Sequence, residues 1–197
     1  MVQWLGTFFL KLTGWKVAGT YHREIKKYII VVGPHTSNWD FFIAVAVRAS
    51  LQIKSYYLAK KEIFVFPFGA IFRAMGGFPV DRSRGHNVVK MVTQLFDSRD
   101  EFAIALAPEG TRRKVKKLKT GFYFIAKAAN IPIILTGFDY STRTVTFAEP
   151  FYPTDDSEED FRHIINFFSK IKGKHPHQGM DAALLKTIIK ARQSENN

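Results

Sequence analysis

The chain has 197 residues, enough for one domain with a core that folds alone, and its apolar share of 46% argues against disorder. It carries no Cys, which excludes a disulfide frame, a thiolate metal site and an acyl-cysteine intermediate. Its 29 Lys and Arg against 17 Asp and Glu leave a net charge of +12, which favours an anionic partner: nucleic acid, an anionic lipid leaflet, an acidic carrier protein or a phosphorylated substrate.

In chain order, residues 1–12 place Trp4, Leu5, Phe8, Phe9 and Leu12 at helical spacing. The stripe suits either a helix lying in a membrane interface (1–15), with Lys11 and Lys16 near the headgroups, or a helix packed on its own domain, since both have the same period. The start lacks the basic run and small-residue cleavage site of a signal peptide, and no run of about 18 apolar residues predicts a membrane-spanning helix. Residues 28–33 (YIIVVG) are β-branched, bounded by Gly33-Pro34, and predict a buried strand. Ser37 then caps a predicted helix over 38–51, with Asp40 at its third position as in a capping box.

A second strand is expected at 54–59 and two short helical pieces around 63 and 68–75, stopped by Gly76-Gly77. A strand at 78–81, a helix at 87–98 and a buried strand at 101–107 follow, the last ending in the loop Pro108-Glu109-Gly110-Thr111. A helix at 119–129, a strand at 132–137 and an edge strand at 143–148 come next. An acidic patch at 155–160 opens a helix to about 170, and a final helix spans 180–192 within a C-terminal helical region, 157–197. Strands alternating with helices predict a single α/β domain, 1–197, with a mostly parallel sheet flanked by helices and its ligand site where strands end in loops.

Two segments could carry chemistry. In His35-Thr36-Ser37-Asn38-Trp39-Asp40, the carboxylate can fold back to hold one imidazole nitrogen, fixing the tautomer and leaving the other nitrogen to take a proton from an alcohol. The same spacing also fits a helix cap with a loop hydrogen bond. In Pro108-Glu109-Gly110-Thr111-Arg112, Gly110 permits close backbone approach, while Thr111 and Arg112 offer donors to an anionic oxygen. Five further basic residues, Arg113, Lys114, Lys116, Lys117 and Lys119, make this either a phosphate site or a solvated basic loop. There is no Gly-x-Ser-x-Gly elbow, Walker loop or dinucleotide fingerprint. His175-Pro176-His177 lacks a matching cluster of metal ligands, so no metal is expected.

Taken together, these segments resemble the glycerolipid acyltransferase family, whose best-known members are bacterial 1-acylglycerol-3-phosphate acyltransferases. His35, Ser37 and Asp40 match its H-x-S-x-x-D block (the HX4D motif), and Gly76 to Arg82 its second block, which ends in Asp-Arg. Pro108 to Arg112 match its Pro-Glu-Gly-Thr-Arg block, and Ile131-Pro132-Ile133-Ile134 its fourth. Lys60-Lys61-Glu62 before an aromatic stretch is also similar. The motif-bearing core runs over 28–137. Pro34, Arg113 and Leu135 depart from the residues common there, which are Asn, Ser and a second Pro.

The resemblance implies a glycerol-3-phosphate acyltransferase-like fold and direct acyl transfer without a covalent acyl-enzyme. His35 is then the general base and Asp40 its orienter. Arg82, Glu109, Gly110, Thr111 and Arg112 bind the acceptor's polar head, with Ser37 and Lys60 in support. A backbone N–H near these loops is the expected oxyanion donor. The implied co-substrate is acyl-CoA or acyl carrier protein, with no cofactor beyond it. The acceptor is a lysophospholipid such as 1-acylglycerol-3-phosphate, in phospholipid biosynthesis, and the protein is expected on an anionic membrane surface as a peripheral protein on the cytoplasmic side of the cell membrane. An amino-acid lipid is the alternative acceptor. A non-catalytic basic module on a membrane surface is the alternative class. Nucleic acid is not an expected partner, since no aromatic residues interleave with the basic run.

Overall fold

Strand formation follows the β-branched runs. In a computed structural model of the chain, describing residues 3–80, 86–181, 183–184 and 187–188 apart from the side chains of 59, 60, 63, 80, 86 and 87, seven strands join in one sheet. They are Lys16–Ala18 (β1), Lys27–Gly33 (β2), Tyr56–Lys60 (β3), Gly77–Val80 (β4), Phe102–Leu106 (β5), Ile133–Asp139 (β6) and Thr144–Phe147 (β7). The order across the sheet is β1-β7-β6-β2-β5-β3-β4, and every pairing is parallel except β6 with β7. The helices are Gln3–Thr13 (α1), Trp39–Ser50 (α2), Phe68–Ala74 (α3), His86–Asp97 (α4), Gly121–Ala128 (α5) and Ser157–Ser169 (α6). This is the single α/β domain with a mostly parallel sheet that the alternation predicts.

β2 is central, bonded to β5 on one side and β6 on the other, and its side chains alternate between two apolar layers. Tyr28 and Ile30 pack with Leu10 of α1 and Ile43, Ala46 and Val47 of α2. Ile29 and Val31 pack with Phe96 of α4, Phe122 and Ile125 of α5, and Phe161 and Ile164 of α6. The right-handed crossovers β2-α2-β3 and β3-α3-β4 run in one direction, which sets α3 on the same face as α2. The Arg48 guanidinium of α2 donates to the Met75 carbonyl just after α3, consistent with that placement.

Several boundaries move from the sequence expectation. The residue before α2 is Asn38, which makes no side-chain cap. Instead the Ser37 hydroxyl accepts from Trp39 N–H, and Asp40, second in the helix, reaches back to Ser37 N–H. The two groups satisfy each other's turn much as the predicted capping box would, while the helix itself begins one position later than expected. Strand β7 is not an edge strand, because β1 pairs along its outer side. β1 has only three residues and no apolar alternation, so nothing in its sequence marks it.

Candidate active site

Strand β2 feeds α2 on one face of the sheet, and its neighbour β5 feeds α5 on the other. Their C-terminal loops therefore part, leaving a crevice where open α/β sheets bind ligands. The His35 loop and the Glu109 loop meet there, and the Glu109 Oε1 accepts from His35 N–H at 2.8 Å.

Asp40 is fully buried and accepts four hydrogen bonds. His35 Nδ1, Thr36 N–H and Ser37 N–H each approach its Oδ2 at 2.9 Å, and the Tyr140 hydroxyl donates to Oδ1 at 2.6 Å. Burial by itself would raise this carboxyl, but the bonds from His35, Tyr140 and Ser37 outweigh it and hold Asp40 below the usual carboxylate range. An ionised Asp40 accepts from Nδ1–H, which fixes the imidazole tautomer and leaves Nε2 for a substrate. The His35 side chain keeps 23% of its surface exposed against 1% for Asp40, so the base faces outward and its orienter is sealed beneath it.

Three successive turn amides, those of His35, Thr36 and Ser37, are thus all committed to carboxylates. The expected oxyanion donor is none of these. Tyr140 escaped the sequence reading because it follows β6, 100 positions downstream of its partner, with no motif around it.

A pocket of about 480 Å³ opens beside the His35 turn, lined by Thr36, Ser37, Asn38, Trp39, Arg112, Arg113, Lys174, His175 and Gln178. Among the described residues, Arg112 and Ser37 are the expected site residues on its wall. Glu109 is buried instead, with Oε2 lacking a partner among the described residues, and burial pushes its carboxyl up to about 7 against the His35 N–H bond. Gly110, at φ +63, bends the loop, and Thr111 is exposed at its tip with its hydroxyl accepting from Arg113 N–H. The positive φ is what favours glycine there, since a Cβ would meet only the flexible end of the exposed Lys119 side chain, which can move aside. Arg82 and the Lys60 side chain lie outside the described residues. Among the described residues no cluster of three His, Cys, Asp or Glu side chains could hold a metal, and the His175 and His177 rings stand 6.1 Å apart.

The sequence profile of the acyltransferase family matches residues 15–136, which holds both loops of the crevice and α2 between them. The chain belongs to the acyltransferase family. Its fold is similar to that of the 1-acyl-sn-glycerophosphate (LPA) acyltransferase PlsC from Thermotoga maritima, at 14% identity and a TM-score of 0.59. The match covers 96% of this chain and 78% of that one. No curated protein matches the sequence. For this acyltransferase, the Tyr140 bond to Asp40 and the C-terminal part of the pocket, Lys174 to Gln178, lie outside the matched region.

Proposed function

We propose that this acyltransferase moves a fatty acyl group from the thioester of acyl-CoA or acyl carrier protein to the hydroxyl of a lysophospholipid such as 1-acylglycerol-3-phosphate. The observation that carries the reading is the 2.9 Å contact of His35 Nδ1 with the buried Asp40 carboxylate. It leaves Nε2 as the group that removes the acceptor's proton. The alkoxide oxygen then attacks the thioester carbonyl, a tetrahedral intermediate collapses, and the thiolate leaves, taking up the proton held by His35. Asp40 stays ionised throughout and balances the imidazolium charge.

The anionic acceptor is supported by Arg112 and Arg113 on the pocket wall. A peripheral seat on an anionic membrane is supported by the net charge and by the exposed aromatic side chains of α1, while no described helix is long and apolar enough to cross a membrane. The test is release of free thiol from acyl-CoA by the purified protein across a panel of lysolipids. Release that requires a lysophospholipid supports the reading. A chain that binds anionic vesicles and cleaves no thioester with any acceptor is a binding module, and the reading fails.

A further inference from the structure

The pocket beside His35 is walled in part by a segment far down the chain, Lys174 to Gln178, which adds a lysine to the two arginines of the loop after β5. Lys174 and His175 line it together with Arg112 and Arg113, and among the described residues no carboxylate does. The Lys174 ammonium lies 5.3 Å from the centroid of the Trp39 ring on the pocket wall, a contact that does not use its hydrogen-bond donors.

The segment is fixed against the catalytic turn. Gly173 passes so close that a Cβ there would stand 2.6 Å from Thr36 Oγ1, and that hydroxyl accepts from His175 N–H at 3.2 Å. Met180 is buried, and its methyl packs above Gly33 at the end of β2. Lys114, from the same loop as Arg112, bonds the Gly179 carbonyl at 2.8 Å and Asp181 at 2.6 Å. The basic loop and the C-terminal segment are therefore tied together around one opening.

We propose that Lys174, supplied by the segment after α6 and outside the region the family profile matches, joins Arg112 and Arg113 as a further phosphate-binding cation and sets affinity for the phosphate-bearing substrate. The charge pattern selects a phosphate ester, which both coenzyme A and a lysophosphatidate carry. Which of the two it serves rests on the acyl-transfer reading; phosphate binding itself does not.

The test titrates the protein with coenzyme A, with dephospho-coenzyme A and with a short-chain lysophosphatidate, using Trp39 fluorescence as reporter. It compares wild type with Lys174→Ala, Lys174→Arg and, as an exposed control off the pocket, Lys170→Ala. A charge-assisted hydrogen bond at a partly exposed site gives an expected loss of roughly 10-fold in affinity for Lys174→Ala. Lys174→Arg should restore most of it and Lys170→Ala should change nothing. In turnover, Lys174→Ala should raise KM for one substrate about 10-fold with kcat within about 2-fold. Loss confined to coenzyme A assigns the subsite to the donor, and loss confined to the lysophosphatidate assigns it to the acceptor. Should phosphate binding weaken in Lys174→Ala while wild type transfers no acyl group, the subsite stands and the acyl-transfer reading falls. Unchanged affinity for all three ligands in both Lys174→Ala and the double variant Lys174→Ala/Arg113→Ala overturns the subsite, whatever the enzyme does.

Discussion

The four bonds onto Asp40 separate its role from that of His35, and two substitutions should reveal the division. His35→Ala removes the proton acceptor and should lower kcat about 100- to 10,000-fold, with a smaller loss of stability than at Asp40, because the carboxylate keeps its bonds from Thr36, Ser37 and Tyr140. Asp40→Asn keeps the shape but loses the charge that holds Nδ1–H, so kcat should fall by a similar factor. It should also cost about 1.5–3 kcal/mol of stability, since charge-assisted bonds from two amides and Tyr140 weaken together. Chemical denaturation alongside steady-state kinetics distinguishes the two variants.

Glu109 gives a pH signature of opposite sign to that of Asp40. Its folded-state value of about 7 lies above the ordinary 4.5, so between those limits the folded chain holds more proton than the unfolded one. Stability should therefore fall as pH rises from about 4.5 to 7 and level off above. The difference corresponds to about 3 kcal/mol. Glu109→Gln retains an oxygen for His35 N–H and cannot ionise. It should gain stability over wild type at pH 8 and little at pH 4.5, as urea denaturation at the two pH values would show. For Asp40, held low, the contribution is present above the ordinary carboxylate range and fades as pH drops below it.

Among the elements, those with a strong local signal were legible in the sequence and those that depend on a distant partner were not. β2, with its β-branched run, and α2, with apolar spacing after a Ser, were readable within a residue or two. So was the pairing of His35 with Asp40, because five residues around a helix start is a local geometry. Glu109 was found as a motif member, but its burial against His35 N–H depends on β2 and β5 lying side by side, which no stretch of sequence records. Tyr140 and Lys174 reach the site only through the tertiary path of β6 and of the segment after α6, and β1 exists only because β7 offers it an edge.

The α1–α2 contact is testable at this scale. A Cβ on Gly6 would lie 2.4 Å from the Ala46 carbonyl, a backbone atom that cannot swing away. Gly6→Val should thus separate the two helices and destabilise the fold by roughly 1–3 kcal/mol, measurable as a lower urea midpoint, as overpacked contacts usually do.

Across the whole molecule, one face of the sheet is dressed unlike the other. The layer of α1, α2 and α3 carries exposed Trp4, Phe8 and Leu12 on α1, Trp39 and Phe42 on α2, and Phe66, Phe68 and Ile71 at and before α3, with Phe66 96% exposed. The apolar stripe of α1 has two sides. Gly6 and Leu10 face α2, and Trp4, Phe8 and Leu12, each two positions removed, point the opposite way, so packing on the domain does not use them up. The helix packs on its own domain by one side, as one of the two expectations has it, and its other side is exposed. An aromatic side chain buried in an interface contributes about 1.5–3 kcal/mol, so Trp4→Ala/Phe8→Ala should lose about 3 kcal/mol, or roughly 100-fold in partition to anionic vesicles. Phe66→Ala/Phe68→Ala should lose a comparable amount if the layer acts as one surface. Neither pair touches the His35–Asp40 contact, so thiol release with a water-soluble short-chain acceptor should stay within about 2-fold of wild type. Vesicle sedimentation unaffected by both double substitutions would remove the apolar face from membrane binding and leave the charge of +12 as its sole source.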